Sequence, residues 1–146
     1  MPLTTVINES FDRSFTLYRD LIESIEESTL SSKLARLPSN TLGLQLWCVI
    51  GARESFSKAI QANQWSGFSC SLENTDNKVS VAEALHRSES AVSEALETIA
   101  EFSDVQNRLI IDLLEHEAAH HGQLIRYLYG LKLTIPASWK SKYALD

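Results

Sequence analysis

The chain has no cluster of basic residues and no apolar run near the ~20 residues of a membrane span. Lysine and arginine number 13 against 19 aspartates and glutamates, a net charge of −6 over 146 residues. Phosphate binding leans on clustered Lys and Arg, so nucleic acid is not an expected partner. Without a long apolar run, neither is a membrane. Cysteine is scarce, with only Cys48 and Cys70. A chain of this size needs no disulfide, and a reducing cytoplasm is the expected compartment. The start, Met1-Pro2-Leu3-Thr4-Thr5, lacks the basic-then-apolar form of a secretory signal. Strand-like alternation, internal repeats and low-complexity segments are missing too. What is present is a 44% hydrophobic, 22% charged composition, as expected of one globular domain over residues 1–146.

That domain reads as all-α. From about Leu3 to Ser28, the residues Ile7, Phe11, Phe15, Tyr18, Ile22 and Ile25 recur at spacings of three and four, opposite a mostly charged face. A connection with its break at Pro38 leads to a second helix, about Thr41 to Gln64, which Ser39, Asn40 or Thr41 caps. Its apolar stripe is Leu42, Leu46, Val49, Phe56 and Ile60, interrupted by Arg53. Beside that stripe run the mostly small residues Leu44, Cys48, Ala52, Ser55 and Ala59, with Gly51 adjacent. They leave space for a neighbouring helix or for a pocket. Trp65 to Lys78 reads as a loop that is long for a bundle connection. Its roughly fourteen residues reach up to ~45 Å, further than a helix of about 23 residues, so the second and third helices can be parallel. Ser80-Val81-Ala82-Glu83 fits a capping box for a third helix ending near Phe102. Ser103 or Asp104 opens the fourth, which reaches Gly130 and is apolar on so wide an arc that it is expected to be the most buried. A tail helix follows Pro136, with Trp139 and Tyr143 placed to clamp it. Four long amphipathic helices in one domain read as a four-helix bundle.

The fourth helix carries the chemistry. Leu109, Leu113, His116, His120, Leu124 and Tyr127 form one stripe, with histidines where leucines are expected. Two imidazoles four residues apart reach a single ion, and neutral imidazole suits zinc, nickel, copper and iron. The plain alternative is a pair of core histidines hydrogen-bonded to neighbours. A catalytic zinc-type centre takes three protein ligands and keeps one position open. His86 lies off the core stripe and Cys70 lies in the loop, so Cys48 is the third ligand by elimination. Its alternative is an inert buried thiol. His116-Glu117-Ala118-Ala119-His120 also spells the H-E-x-x-H of zinc proteases, but no strand pattern exists to bind a peptide and few residues follow to complete the site. Glu117 is a candidate base, or else a bundle-edge carboxylate. His121 is a candidate proton carrier on another face. Gln123 is a candidate hydrogen-bond partner for a metal-ligating ring.

The run from His116 through Gly122, Gln123, Leu124 and Tyr127, followed by Pro136 and Trp139, resembles the DinB-like family of metal-dependent enzymes. So does Leu46-Trp47-Cys48-Val49-Ile50-Gly51-Ala52-Arg53-Glu54-Ser55-Phe56. The resemblance implies a four-helix bundle of up-down-down-up order, with its long crossover between helices two and three. It also implies a three-histidine centre for zinc or nickel, and homodimers. Characterised members transfer or isomerise with low-molecular-weight thiols. His116 and His120 match two family ligands, and Cys48 stands where the first histidine usually is. The leading expectation is therefore a thiol S-transferase acting on a small molecule. In it Cys48, His116 and His120 hold a divalent ion, and Glu117 or His121 takes a proton. Metal-assisted hydrolysis and a metal-free dimeric binding or stress-response bundle are the alternatives.

Overall fold

The protein is described over residues 1–146 by a computed structural model, and it is all-α. Helices α1 (Leu3–Ser24), α2 (Leu42–Ala62), α3 (Lys78–Glu97), α4 (Asp104–Gly130) and α5 (Ala137–Tyr143) are joined without any strand, and a 3-10 turn spans Glu27–Ser31. No helix is long and apolar enough to cross a membrane.

α1 stops before its apolar stripe does. Ile25 takes an extended conformation, φ −96° and ψ 152°. The 3-10 turn then folds Leu30 inward, so Ile25 and Leu30 both reach the core from outside a helix. Burial of these two side chains replaces continuation to Ser28. At the start of α2 the Thr41 hydroxyl accepts the Leu44 N–H at 3.1 Å. At its end Asn63 adopts the left-handed conformation, φ 57°, that lets its N–H reach the last carbonyls.

The segment between α2 and α3 retraces α2 from end to start. The Ser55 hydroxyl accepts the Ser69 N–H at 2.9 Å, and Glu54 accepts the Ser71 N–H at 3.0 Å. The Cys70 thiol donates to the Trp47 carbonyl at 3.4 Å. A Cβ at Gly51 would collide with the Phe68 ring, and one at Gly43 with the Thr75 carbonyl. The small residues on this face of α2 are thus covered by the returning chain. α3 begins beside the first turn of α2, and the two helices run in the same direction. Asn77, three residues before Ser80, is the cap, accepting the Ser80 N–H at 2.9 Å. α3 ends at Glu97 rather than near Phe102. Ile99 and Phe102 pack against the core from the connection instead. Ser103 and Gln106 form a reciprocal capping box at the start of α4.

α2 packs against α3 and α4, α1 packs against α3 and α4, and α5 lies on α1. The Gln106 amide donates to the Ile60 carbonyl at 2.7 Å, and Tyr127, near the other end of α4, donates to the Asn40 carbonyl just before α2. α4 therefore runs opposite to α2. Lys78 at the start of α3 donates through Nζ to the Ile25 carbonyl at 2.5 Å, and Arg19, earlier in α1, meets Glu89, later in α3, at 2.9 Å, so α1 runs opposite to α3. α2, not α4, is the most buried helix, because α3, α4 and the returning segment cover it from three sides. Trp139 is fully buried and donates to the Leu17 carbonyl at 2.7 Å, which clamps α5 as its spacing predicts.

Candidate metal centre

Helical spacing puts His116 and His120 one turn apart on α4, and packing against α2 brings Cys48 up to them. One ligand atom from each residue lies within 4.8 Å of the other two. The imidazole rings are 4.5 Å apart by centroid. Cys48 Sγ stands 3.6 Å from His116 Nε2. Zn–S near 2.3 Å and Zn–N near 2.0–2.1 Å, at a tetrahedral angle, set sulfur and nitrogen about 3.6 Å apart. The Cys48–His116 pair therefore has the spacing of two ligands on one tetrahedral ion, and His120 lies close enough to complete the set. Three protein ligands leave a fourth position for a small molecule.

The protonation states fit as well. Burial lowers the pKa of His116. Burial, and then the neighbouring His116, lowers that of His120 to about 4. Both imidazoles are neutral near pH 7, the form that binds a metal. Burial raises the Cys48 thiol above its ordinary value, so an ion is what would take its proton. His120 Nδ1 is 2.7 Å from Gln45 Oε1, the outer-shell hydrogen bond that metal-ligating histidines usually make. His116 Nδ1 is buried with no partner at all. Next to Cys48 in sequence, the Trp47 ring packs tilted against Phe68 of the returning segment, 5.3 Å between centroids.

Glu117 and His121, the expected base and proton carrier, stand outside this triad. Neither is at the edge of the fold. Glu117 is fully buried and receives Arg53 through two contacts, Nε–Oε1 at 2.6 Å and Nη2–Oε2 at 3.0 Å. Burial alone would raise the Glu117 pKa, but the charge and hydrogen bonds of Arg53 and the Ser14 hydroxyl hold it below the usual carboxylate value. Arg53 lies 4.7 Å from the Phe15 ring centre and 4.9 Å from that of Tyr18, where the two halves of the core meet.

Hydrogen-bond counting fixes the protons beyond Glu117. An ionised carboxylate only accepts, so the Ser14 hydroxyl donates to Glu117 Oε2 at 2.5 Å. His121 Nε2, 2.8 Å from Ser14 Oγ, must then donate to it. His121 Nδ1 is left as the acceptor for the Tyr143 hydroxyl at 2.6 Å. Ser14 is thus no nucleophile primed by His121: its only proton points away from the imidazole. The network ties α1, α4 and α5 together.

The sequence spacing brings out Cys48, His116 and His120, and the fold assembles them. His86 is exposed, as its place off the stripe implies. Gln123 is exposed too, and Gln45 takes the place expected for it beside a ligand ring. Gln45 was findable, lying three residues before Cys48 on the same helix. Arg53 was also signalled, as a charge inside an apolar stripe with Glu117 available on the facing helix. No protein-family model, curated protein or solved structure matches the chain.

Proposed function

We propose that the chain is a divalent-metal-dependent enzyme of DinB-like type, a four-helix bundle of up-down-down-up order that transfers a low-molecular-weight thiol to a small electrophile. The carrying observation is the Cys48–His116–His120 triad, with sulfur and imidazole nitrogen 3.6 Å apart. The bundle reading rests on the pairwise directions of the helices and on the connection that retraces α2. A bound zinc or nickel ion supplies Lewis acidity, lowering the pKa of a thiol in the open position. The chain supplies the rest. Cys48, His116 and His120 would hold the ion, and Gln45 would orient the His120 ring. In the transfer a carbon–sulfur bond forms, the leaving group departs with its bonding pair, and the thiol proton goes to solvent. The hydrolytic alternative needs Glu117 as base, yet both its oxygens are already engaged by Arg53 and Ser14.

Metal analysis of protein purified without chelator, beside His120→Ala, is the test. About one equivalent in the native chain and little in the variant is expected, with consumption of an electrophile that requires both metal and added thiol. Substoichiometric metal in both proteins refutes the reading. Metal-dependent turnover without a thiol replaces transfer by hydrolysis.

A further inference from the structure

We propose that Gln45 is a positioning residue that presets which nitrogen of His120 faces the ion, and that Asn40 and Tyr127 set Gln45 in turn. This rests on the metal-centre reading above and adds to it a chain of groups outside the three ligands.

The chain begins in the core of the bundle. Tyr127, two turns on from His120 along the same stripe, is buried at 2% exposure, and its hydroxyl donates to the Asn40 carbonyl. The same hydroxyl lies 3.1 Å from Asn40 Oδ1. This pins Asn40 at the residue before the Thr41 cap. Asn40 Oδ1 accepts Gln45 Nε2 at 2.7 Å. A primary amide has one donor end and one acceptor end. With the NH2 of Gln45 committed to Asn40, its carbonyl oxygen faces His120 Nδ1 at 2.7 Å.

A carbonyl oxygen has no proton to give, so His120 Nδ1 must carry one. A neutral imidazole has a single ring proton, which leaves Nε2 as a bare lone pair. That is the nitrogen remaining for Cys48 and His116 to share an ion with. Gln45 and His120 are each 7% exposed, so water does not compete for the bond.

His116 is built differently. Its Nε2 faces Cys48, while its Nδ1 is buried without a partner. Only the long contact with the Cys48 thiol bears on its tautomer. The two imidazoles are therefore unequal: His120 is ordered by the fold, and His116 is ordered by Cys48 and the ion. Partners of this kind are worth about 10–100-fold in metal affinity.

The test pairs nitrogen NMR of histidine-labelled, metal-free protein near pH 7 with zinc affinity measured by chelator competition. The native chain is expected to show His120 as the Nδ1–H tautomer. Gln45→Leu should lose that preference and bind zinc roughly 10–100-fold more weakly. Gln45→Glu, which keeps an acceptor at the same place, should retain both. Asn40→Ala should loosen the tautomer preference with Gln45 intact, a result that mere packing by Gln45 does not produce. The native tautomer is readable even if Gln45→Leu does not fold. An Nε2–H tautomer in the native chain, the outcome of the same amides all reversed, overturns the proposal. So does a folded Gln45→Leu that binds zinc as tightly as the native chain. If the native chain shows the Nδ1–H tautomer and binds no zinc, the metal-centre reading fails and the positioning role falls with it. If both proteins bind zinc equally, Gln45 alone is misassigned.

Discussion

Replacing Glu117 by glutamine should destabilise the fold far more than the loss of one hydrogen bond. The substitution keeps the side chain's shape. It also leaves the Arg53 guanidinium charged in a site where both partners have no solvent exposure. The only other polar contacts of Arg53, to the Leu85 carbonyl and the Ser88 hydroxyl, are both 3.4 Å long and neutral. The glutamine NH2 would meet either Arg53 or Ser14, both of which donate to the carboxylate. Removing one member of a buried ion pair costs about 3–5 kcal/mol, mostly because the remaining charge is uncompensated. At ~2–4 °C per kcal/mol for a chain of about this size, the melting temperature should fall by roughly 6–20 °C. Urea unfolding followed by circular dichroism is the assay, with a lower midpoint and an unchanged slope expected. Arg53→Met combined with Glu117→Leu should recover much of the loss, since both charges leave together. A loss below about 1 kcal/mol in Glu117→Gln, at unchanged slope, would refute the reasoning, because a buried pair should cost several times that.

Acidification should weaken the fold in two stages. His120 and His121 have folded pKa values of about 4, lowered first by burial, so between their ordinary value of 6.5 and about 4 the unfolded chain takes up protons that the folded chain does not. Stability should drop across that window, and Glu117, whose folded pKa is depressed, should withdraw its contribution as pH falls further; a urea midpoint equal at pH 7.5 and pH 5 contradicts the first stage. Gly43→Ala should destabilise by about 1–3 kcal/mol, because its Cβ meets the Thr75 carbonyl and comes within 3.0 Å of the Leu30 carbonyl. Gly122→Ala, whose Cβ meets nothing within 4 Å, should stabilise α4 by about 0.5–1 kcal/mol, and the opposite order of the two midpoints would contradict the packing described. Tyr143→Phe removes the donor to His121 Nδ1 and should cost about 1 kcal/mol, read as faster amide exchange in α5.

The parts legible from sequence are those where side-chain period and backbone agree. The stripe from Leu109 to Tyr127 is continuous, and α4 follows it for its whole length. Where they part, reading fails. Ile25 continues the stripe of α1 and Ile99 that of α3, yet both reach the core from non-helical backbone, Ile25 buried and Ile99 half-buried, because a core accepts an apolar side chain from either. The Ser80 box was a valid local pattern, but Asn77 supplies an equivalent oxygen one turn earlier. The Cys48–His116–His120 cluster is readable because residues of these types are rare here: two cysteines and four histidines leave few combinations. Gln45 is not singled out by the sequence, and Asn40 only as a candidate cap, because amides are common and the role of Gln45 depends on which end faces the imidazole. Glu117 reads as a base or a bundle-edge carboxylate because its partners Arg53 and Ser14 come from α2 and α1, far away in sequence.

The central claim is that Cys48, His116 and His120 share one ion. X-ray absorption at the zinc edge, on protein loaded with one equivalent and washed, reads the ligands directly. The account predicts one sulfur near 2.3 Å and two imidazole nitrogens near 2.0–2.1 Å, with the sulfur lost in Cys48→Ala. A shell of oxygen alone, or no retained zinc, would contradict it.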